Sequence, residues 1–492
     1  MARLSPRDAT FYFLDEAGST THLGALLIVT PDGPGTAKGG AASGKAASAK
    51  DASATKRPVL DYKHLVELIE NRLQLVPRYR QLVIPVTMGL ARPVWADDPD
   101  FDINFHIRRA GLPAPGGPAQ LDDLVARIMS RPLDRTRPLW EAYLIEGLAD
   151  GKLAVLTKSH RCLVDEDTHR EISEVLTDET REQEKMPEDL WMARSVPSGS
   201  QLALGAIAEA VARPGDLVSS VLTGNGLVAE VRSLAGRTVR RTGSLVQQVM
   251  DSAPASPLNR SSTPTRSFAE ASVQRRGCAK IAERYNCTVN DVVLSIISGV
   301  LRRWKLSVEA TIAPGDTVRV VLPLSSRDPS VQRRMDAEPR TVAVGTPGFV
   351  TDLPVGEDNP SMRLVQVAGL ANRYAHSSRR VSMGIRPILP ELGVVPFPEF
   401  SSRALSSITS RPYNVPVTMP SAPISRRYIA GQKVSELYAV PAFMQQHALA
   451  IGVVEYCGAL LFSFIADQGV LPDLGAMAEY VTESYDELFA VL

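Results

Sequence analysis

Cysteine is scarce in this chain: four in 492 residues, Cys162, Cys278, Cys287 and Cys457, with no CxxC spacing among them. That excludes a disulfide framework and a thiolate zinc site, and fits reduced thiols in a cytosolic protein. Long apolar runs are missing too. None reaches the ~18 residues that would suggest a membrane-crossing helix. The opening MARLSPRDATFYFLDEAG has no signal-peptide layout, so a cytoplasmic location is expected. Nor is there an excess of charge of one sign. Lys plus Arg total 54 and Asp plus Glu total 54, a balance that does not call for nucleic acid. No internal repeat is evident.

What is present points to a large globular protein. Hydrophobic residues make up 44% and charged residues 22%, ordinary for a soluble chain. A length of 492 residues exceeds what one core supports, so two domains or more are expected. Residues 8–14 read as helix, and 22-HLGALLIVT-30 as strand. Residues 31–58 are almost wholly Gly, Ala, Ser, Lys and Pro, with nothing large to bury, and read as a disordered insertion. Within them 39-GGAASGKA-46 matches the GxxxxGK of a phosphate-binding loop. Ala46 stands where Ser or Thr should meet magnesium, and no strand leads directly into it, so the match is a decoy.

Helical spacing continues at 61-DYKHLVELIENRLQLVPRYRQ-81 and 121-LDDLVARIMSRPL-133. Residues 141–148 and 152–160 are β-like runs joined at Asp150-Gly151, which suggests a hairpin. Residues 181–265 read as crossover helices and linker, dividing a first half (1–180) from a second (266–492). The clearest element of the second half is 290-NDVVLSIISGVLRRW-304, an amphipathic helix with Asn290 as its expected cap. Apolar strands follow at 317–324 and 449–466. The whole is mixed α/β with antiparallel and parallel pairing.

The stretch with the most chemistry is 157-TKSHRCLVDEDTHRE-171. A strand runs into a histidine, then an arginine, then acids. His160, Asp165, Asp167 and His169 could be imagined around a zinc ion, but acids there fit solvated caps at a helix start more simply, and no metal is expected.

Several separate stretches resemble the bacterial wax ester synthase/diacylglycerol acyltransferase family. They are 4-LSPRDATFYFLDE-16, 99-PDFDINFHIRRAGLPAPGG-117, 131-RPLDRTRPLWEAYLIEGL-148, 289-VNDVVLSIISGVLRRW-304, 414-NVPV-417 and 429-IAGQKVSELYAV-440. The resemblance implies a fold like chloramphenicol acetyltransferase and condensation domains: two similar α/β halves with a tunnel between them. It implies acyl transfer from acyl-CoA to diacylglycerol or a long-chain alcohol, giving triacylglycerol or wax ester. Acyl-CoA is then a substrate and no cofactor is needed. The implied substrates are insoluble, which suggests peripheral contact with a membrane or lipid droplet.

The family's loop reads His-His-x-x-x-Asp-Gly, and its second histidine takes the alcohol's proton. Aligned on Asp165, this chain keeps the first histidine as His160 and the aspartate, but places Arg161 at the base and Glu166 at the glycine. Guanidinium stays protonated and offers only donors. Losing a positioned base typically costs on the order of 10²–10⁴ in rate. Glu166 adds bulk and negative charge, and Arg161 can pair with Asp165 or Glu166. His160 either packs beside the hairpin or, after a shift, serves as a replacement base. Pro138, Leu139 and Trp140 read as a turn with an aromatic anchor. Asn290, Asp291 and Asn414 match family motifs, and for the first two a helix-capping role explains the need most simply. Asn414-Val415-Pro416 continues with Val417-Thr418 in place of Pro-Gly-Pro, and 330-SVQRRMDAEPR-340 lacks the family's Gly-Asn-Gln. Two readings follow: a slow acyl-CoA-dependent acyltransferase, or a non-catalytic lipid- or acyl-CoA-binding or regulatory member.

Overall fold

The computed structural model describes residues 2–4, 6–16, 21–31, 60–86, 92–164, 172–202, 253–260, 263–309, 311–323, 346–375, 381–383, 413–419, 425–442 and 447–491. Residues 32–58 of the low-complexity insertion, residues 203–252 of the crossover and residues 330–340 lie outside them.

The first half carries α1 (Pro6–Glu16), β1 (His22–Thr30), α2 (Tyr62–Arg72), β2 (Gln81–Ile84), β3 (Val94–Asp97), the single turn α3 (Ile103–His106), β4 (Ile107–Gly111), α4 (Pro118–Ser130), β5 (Trp140–Glu146), β6 (Leu153–His160) and α5 (Ile172–Val175). After the crossover come β7 (Arg266–Gln274), α6 (Arg275–Arg284), α7 (Val289–Val308), β8 (Val318–Pro323), β9 (Thr346–Leu353), α8 (Pro360–Ala375) and β10 (Val381–Met383). The chain ends with β11 (Val415–Thr418), β12 (Tyr428–Ile429), β13 (Gln432–Val440), β14 (Leu449–Tyr456), β15 (Ala459–Asp467) and α9 (Gly475–Ala490).

Two mixed sheets organise these elements. The first runs β12-β13-β1-β6-β5-β4 and the second β10-β9-β8-β11-β14-β15-β7; β2 and β3 pair separately. The expected hairpin is present: β5 and β6 are antiparallel, with Tyr143 opposite Leu156. Asp150 and Gly151 both have positive φ in the turn. The 449–466 run is not one strand but a tight hairpin, β14 to β15, whose turn residues Cys457 (φ 49°) and Gly458 (φ 84°) are left-handed. Two successive positive φ values suit the twist of a two-residue hairpin.

The division into halves is crossed by β12 and β13. Residues 428–440, read from sequence as part of the second half, extend the first sheet, with β13 antiparallel to β1 (Leu26 opposite Tyr438). A hydroxyl strengthens this crossing: Ser463 on β15 donates to the Ala439 carbonyl of β13. Alternation along β15 divides the cores. Leu461 and Ile465 pack with the first half, while Leu460, Phe462 and Phe464 pack under the helices of the second. Gly24 is required where β1 meets β6, because a Cβ there would lie 1.9 Å from the Thr157 carbonyl oxygen.

The cap of α7 is not Asn290. Thr288 caps it, accepting from the Asp291 amide at 3.2 Å, and Asp291 answers by accepting the Thr288 N–H at 2.8 Å. This is a capping box. Asn290 is exposed beside it.

Candidate active site

β6 delivers His160 to its end, and the chain then turns through a 3-10 turn at Arg161–Leu163. Two backbone hydrogen bonds fix this exit. The His160 amide donates to the Leu139 carbonyl at 2.9 Å, and the Arg161 amide to the Thr21 carbonyl at 3.0 Å. The loop therefore hangs between the Pro138-Leu139-Trp140 segment and the entry to β1.

Trp140 is an anchor. It is 1% exposed, its indole N–H donates to the Tyr79 carbonyl at 2.7 Å, and its ring lies on His106 with centroids 4.6 Å apart. Burial pushes the His106 pKa down to about 4, so that ring is neutral and stacks as an aromatic.

His160 is buried, and both ring nitrogens are engaged. The Cys162 amide donates to Nδ1 at 3.1 Å, with the Cys162 thiol 3.0 Å from the same nitrogen. Nδ1 is thus the acceptor, which puts the ring proton on Nε2, 3.1 Å from Thr21 Oγ1. Burial and the Arg135 charge hold the His160 pKa down at about 3. His160 caps its own turn from inside. This geometry supports the packing reading and gives the imidazole no free face for an alcohol.

Behind the ring lies Asp15, which the sequence reading did not single out. Its carboxylate accepts the Thr21 amide at 3.2 Å and stands 3.7 Å from His160 Nε2, 3.9 Å from His22 Nε2 and 3.6 Å from Arg135. Arg135 also donates to the Tyr12 carbonyl at 2.6 Å. Burial raises the pKa of Asp15 while Arg135 and the Thr21 amide work against the rise. Cys162, His160 and Asp15 have the order of a nucleophile, imidazole and carboxylate. Burial pushes the Cys162 thiol well up, however, and its exposure is 0%, so it is an inert thiol. Asp15 and Arg135 fall within the LSPRDATFYFLDE and PLDRTRPLW stretches, which was the only signal that could have found them. Lys158, also fully buried, donates to the Ile128 and Arg131 carbonyls at the end of α4.

Arg161 is half-buried, its guanidinium 5.8 Å from the Phe11 ring. Asp165, Glu166, Asp167 and His169 lie outside the described residues, so the pairing of Arg161 with either acid and the conceivable zinc set do too. His160, the one member of that set in view, has its nitrogens occupied by Cys162 and Thr21. The remaining candidates act locally in the second half. Asn414 is fully buried; it exchanges backbone and side-chain bonds with Arg319 (2.7 and 2.8 Å) and donates to Pro254 O (2.8 Å) and Asn259 Oδ1 (2.6 Å). Asp291 is taken up by its capping box.

Two mixed sheets joined by a crossing strand, with a histidine loop at the end of a central strand, define an α/β fold of the acyltransferase and condensation-domain type. The chain belongs to the wax ester synthase/diacylglycerol acyltransferase family. Residues 4–293 match the "Wax ester synthase/diacylglycerol acyltransferase catalytic domain" and residues 348–489 the "WS/DGAT C-terminal domain". A Mycobacterium tuberculosis protein named "Probable diacyglycerol O-acyltransferase tgs3" is 37% identical over 58% of this chain and 97% of its own. A second from that organism, "Probable diacyglycerol O-acyltransferase tgs1", is 30% identical over 88% and 89%. Among solved structures, the wax ester synthase/diacylglycerol acyltransferase of Marinobacter aquaeolei VT8 covers 100% of this chain and 99% of its own with a TM-score of 0.65 at 20% identity. The first condensation domain of the CDA synthetase covers 99% and 96% with a TM-score of 0.52 at 13% identity.

Proposed function

We propose that this protein transfers an acyl group from acyl-CoA to the hydroxyl of diacylglycerol or a long-chain alcohol, and does so slowly. Family membership along nearly the whole chain carries the reading, and the named relatives favour transfer over a purely lipid-binding role. The slowness comes from position 161. Attack on the thioester requires the alcohol to lose a proton, and a guanidinium cannot take it. Arg161 can only donate, so it can stabilise charge developing on the thioester oxygen while the proton leaves to solvent. What remains is the gain from holding both substrates together, which is itself large.

No cofactor beyond the acyl-CoA substrate is needed. No helix among the described residues is long and apolar enough to cross a membrane. The insoluble acceptor implies that the protein works from the cytoplasm against a membrane or lipid-droplet surface. The test is incubation with labelled acyl-CoA and either diacylglycerol or a fatty alcohol. Labelled triacylglycerol or wax ester above a heat-killed control is the expected result; CoA release without an ester product would overturn the reading.

A further inference from the structure

The loop that carries position 161 is held by Leu139, Thr21 and its own His160, and one carboxylate stands behind the last two. Asp15 sits at the end of α1, and Thr21 enters β1, yet the two converge behind His160. The Thr21 amide donates to Asp15 at 3.2 Å. Thr21 then uses its remaining groups on the loop: its carbonyl accepts the Arg161 amide at 3.0 Å, and its hydroxyl lies 3.1 Å from His160 Nε2. His160 in turn receives the Cys162 amide at 3.1 Å. Three consecutive loop residues are thus fixed through Thr21 and His160, and both of these stand against Asp15. Arg135, 3.6 Å away, balances the carboxylate's charge and ties it to Tyr12 of α1. A buried carboxylate so placed is costly unless its bonds are made, and these bonds also set geometry.

We propose that Asp15, acting through Thr21 and His160, is a positioning residue for acyl transfer: it sets the backbone at position 161 and so the direction of the side chain there. This rests on the acyltransferase reading. Displacing a reacting group by about 1 Å can cost on the order of 10²-fold in rate, so loss of the Asp15 or Thr21 contacts is expected to appear in kcat and to leave KM for acyl-CoA nearly unchanged.

The test uses Asp15→Asn and Thr21→Val in the full chain, each also combined with Arg161→His and Glu166→Gly, which installs an imidazole at 161. Two readouts are taken. In ¹⁵N-histidine spectra, the His160 ring, assigned with His160→Ala, should show one Nε2–H tautomer in the native chain and lose that signature in both variants. In the imidazole background, kcat should fall on the order of 10²-fold, with the thermal transition still cooperative. An unchanged His160 signature in both variants overturns the proposal, as does a fall confined to KM. Should the imidazole background itself transfer no acyl group, the acyltransferase reading fails, and the spectra alone then decide whether Asp15 holds the loop.

Discussion

The amide of Cys162 points at Nδ1 of His160 from 3.1 Å, so the ring that survives in this loop has already spent its basic nitrogen on the chain's own backbone. The other nitrogen carries the proton and faces Thr21. A neutral, enclosed imidazole whose pKa is held down at about 3 is a structural cap.

His160→Ala should therefore cost stability and loosen the loop, without removing a proton acceptor. Removing a buried acceptor leaves the Cys162 amide unpaired, a loss of about 1–3 kcal/mol, read as a lower midpoint in urea. The native transfer rate should show no inflection near pH 6.5. A rise through that pH which His160→Ala abolishes, in a chain that remains folded, would return His160 to the role of base.

Much of this could be read in the sequence where a local pattern was enough. The 141–148 and 152–160 runs with Asp150-Gly151 between them gave the hairpin, because turn chemistry and alternation lie within one short window. The crossing of β13 could not be read: 429–440 stood out only as a family-like stretch, and nothing local in it tells whose edge it joins. The α7 cap was misplaced by two residues because Asn290 and Thr288 are both good caps, and only the reciprocal bond from Asp291 decides between them. Asp15, Thr21, His22 and Arg135 are polar residues scattered from α1 to the loop before β5, and nothing in their spacing shows that they share one buried site.

The capping box and the Asn414 network predict different consequences for three residues that match family motifs. Asn290→Ala, at an exposed position, should change stability little. Asp291→Ala removes one arm of the box and should cost about 1 kcal/mol. Asn414→Ala leaves Pro254 and Asn259 of the crossover and Arg319 of the second half with unmade bonds, and should cost about 2–4 kcal/mol. Urea midpoints give the ranking. If Asn290→Ala abolishes transfer with the midpoint unchanged, that residue touches substrate and the structural account of the pair is wrong.

A buried group at the junction of the halves gives a pH dependence of stability. Glu270 on β7 is pushed up to about 8, first by burial and then by the charges of Asp122 and Glu436, with Lys152 opposing. Tyr438 shares this surroundings through its bond to Glu436. A raised acid favours the folded chain while protonated, so its contribution is present below the ordinary pKa near 4.5 and is lost as pH rises through about 8. Asp122, raised to about 7, acts in the same direction. The neutral rings of His160 and His106 act oppositely, losing their contribution as pH falls below about 6.5. The difference in melting temperature between the native chain and Glu270→Gln isolates the first effect. The native chain should lose ground to the variant steadily between pH 5 and 8.5, and a flat difference would place the Glu270 carboxyl in contact with solvent.

The decisive substitution is at the loop itself. Arg161→His with Glu166→Gly puts an imidazole where the family resemblance places the general base and removes the bulk and charge beside it. Leu139 holds the amide of residue 160 and Thr21 that of residue 161, so the new ring inherits a fixed origin. Transfer to diacylglycerol or a fatty alcohol should rise on the order of 10²-fold or more, the usual worth of a positioned base. It should also gain a dependence on pH that the native chain lacks, climbing through the imidazole pKa near 6.5. The pH profile is the sharper measure, since added rate alone can come from relieved crowding. No gain, with acyl-CoA still raising the melting temperature, would mean that the altered 414–418 turn and the missing Gly-Asn-Gln stretch had already closed the site to chemistry. A native rate equal to that of the repaired loop would mean that the proton leaves by a route that never used position 161.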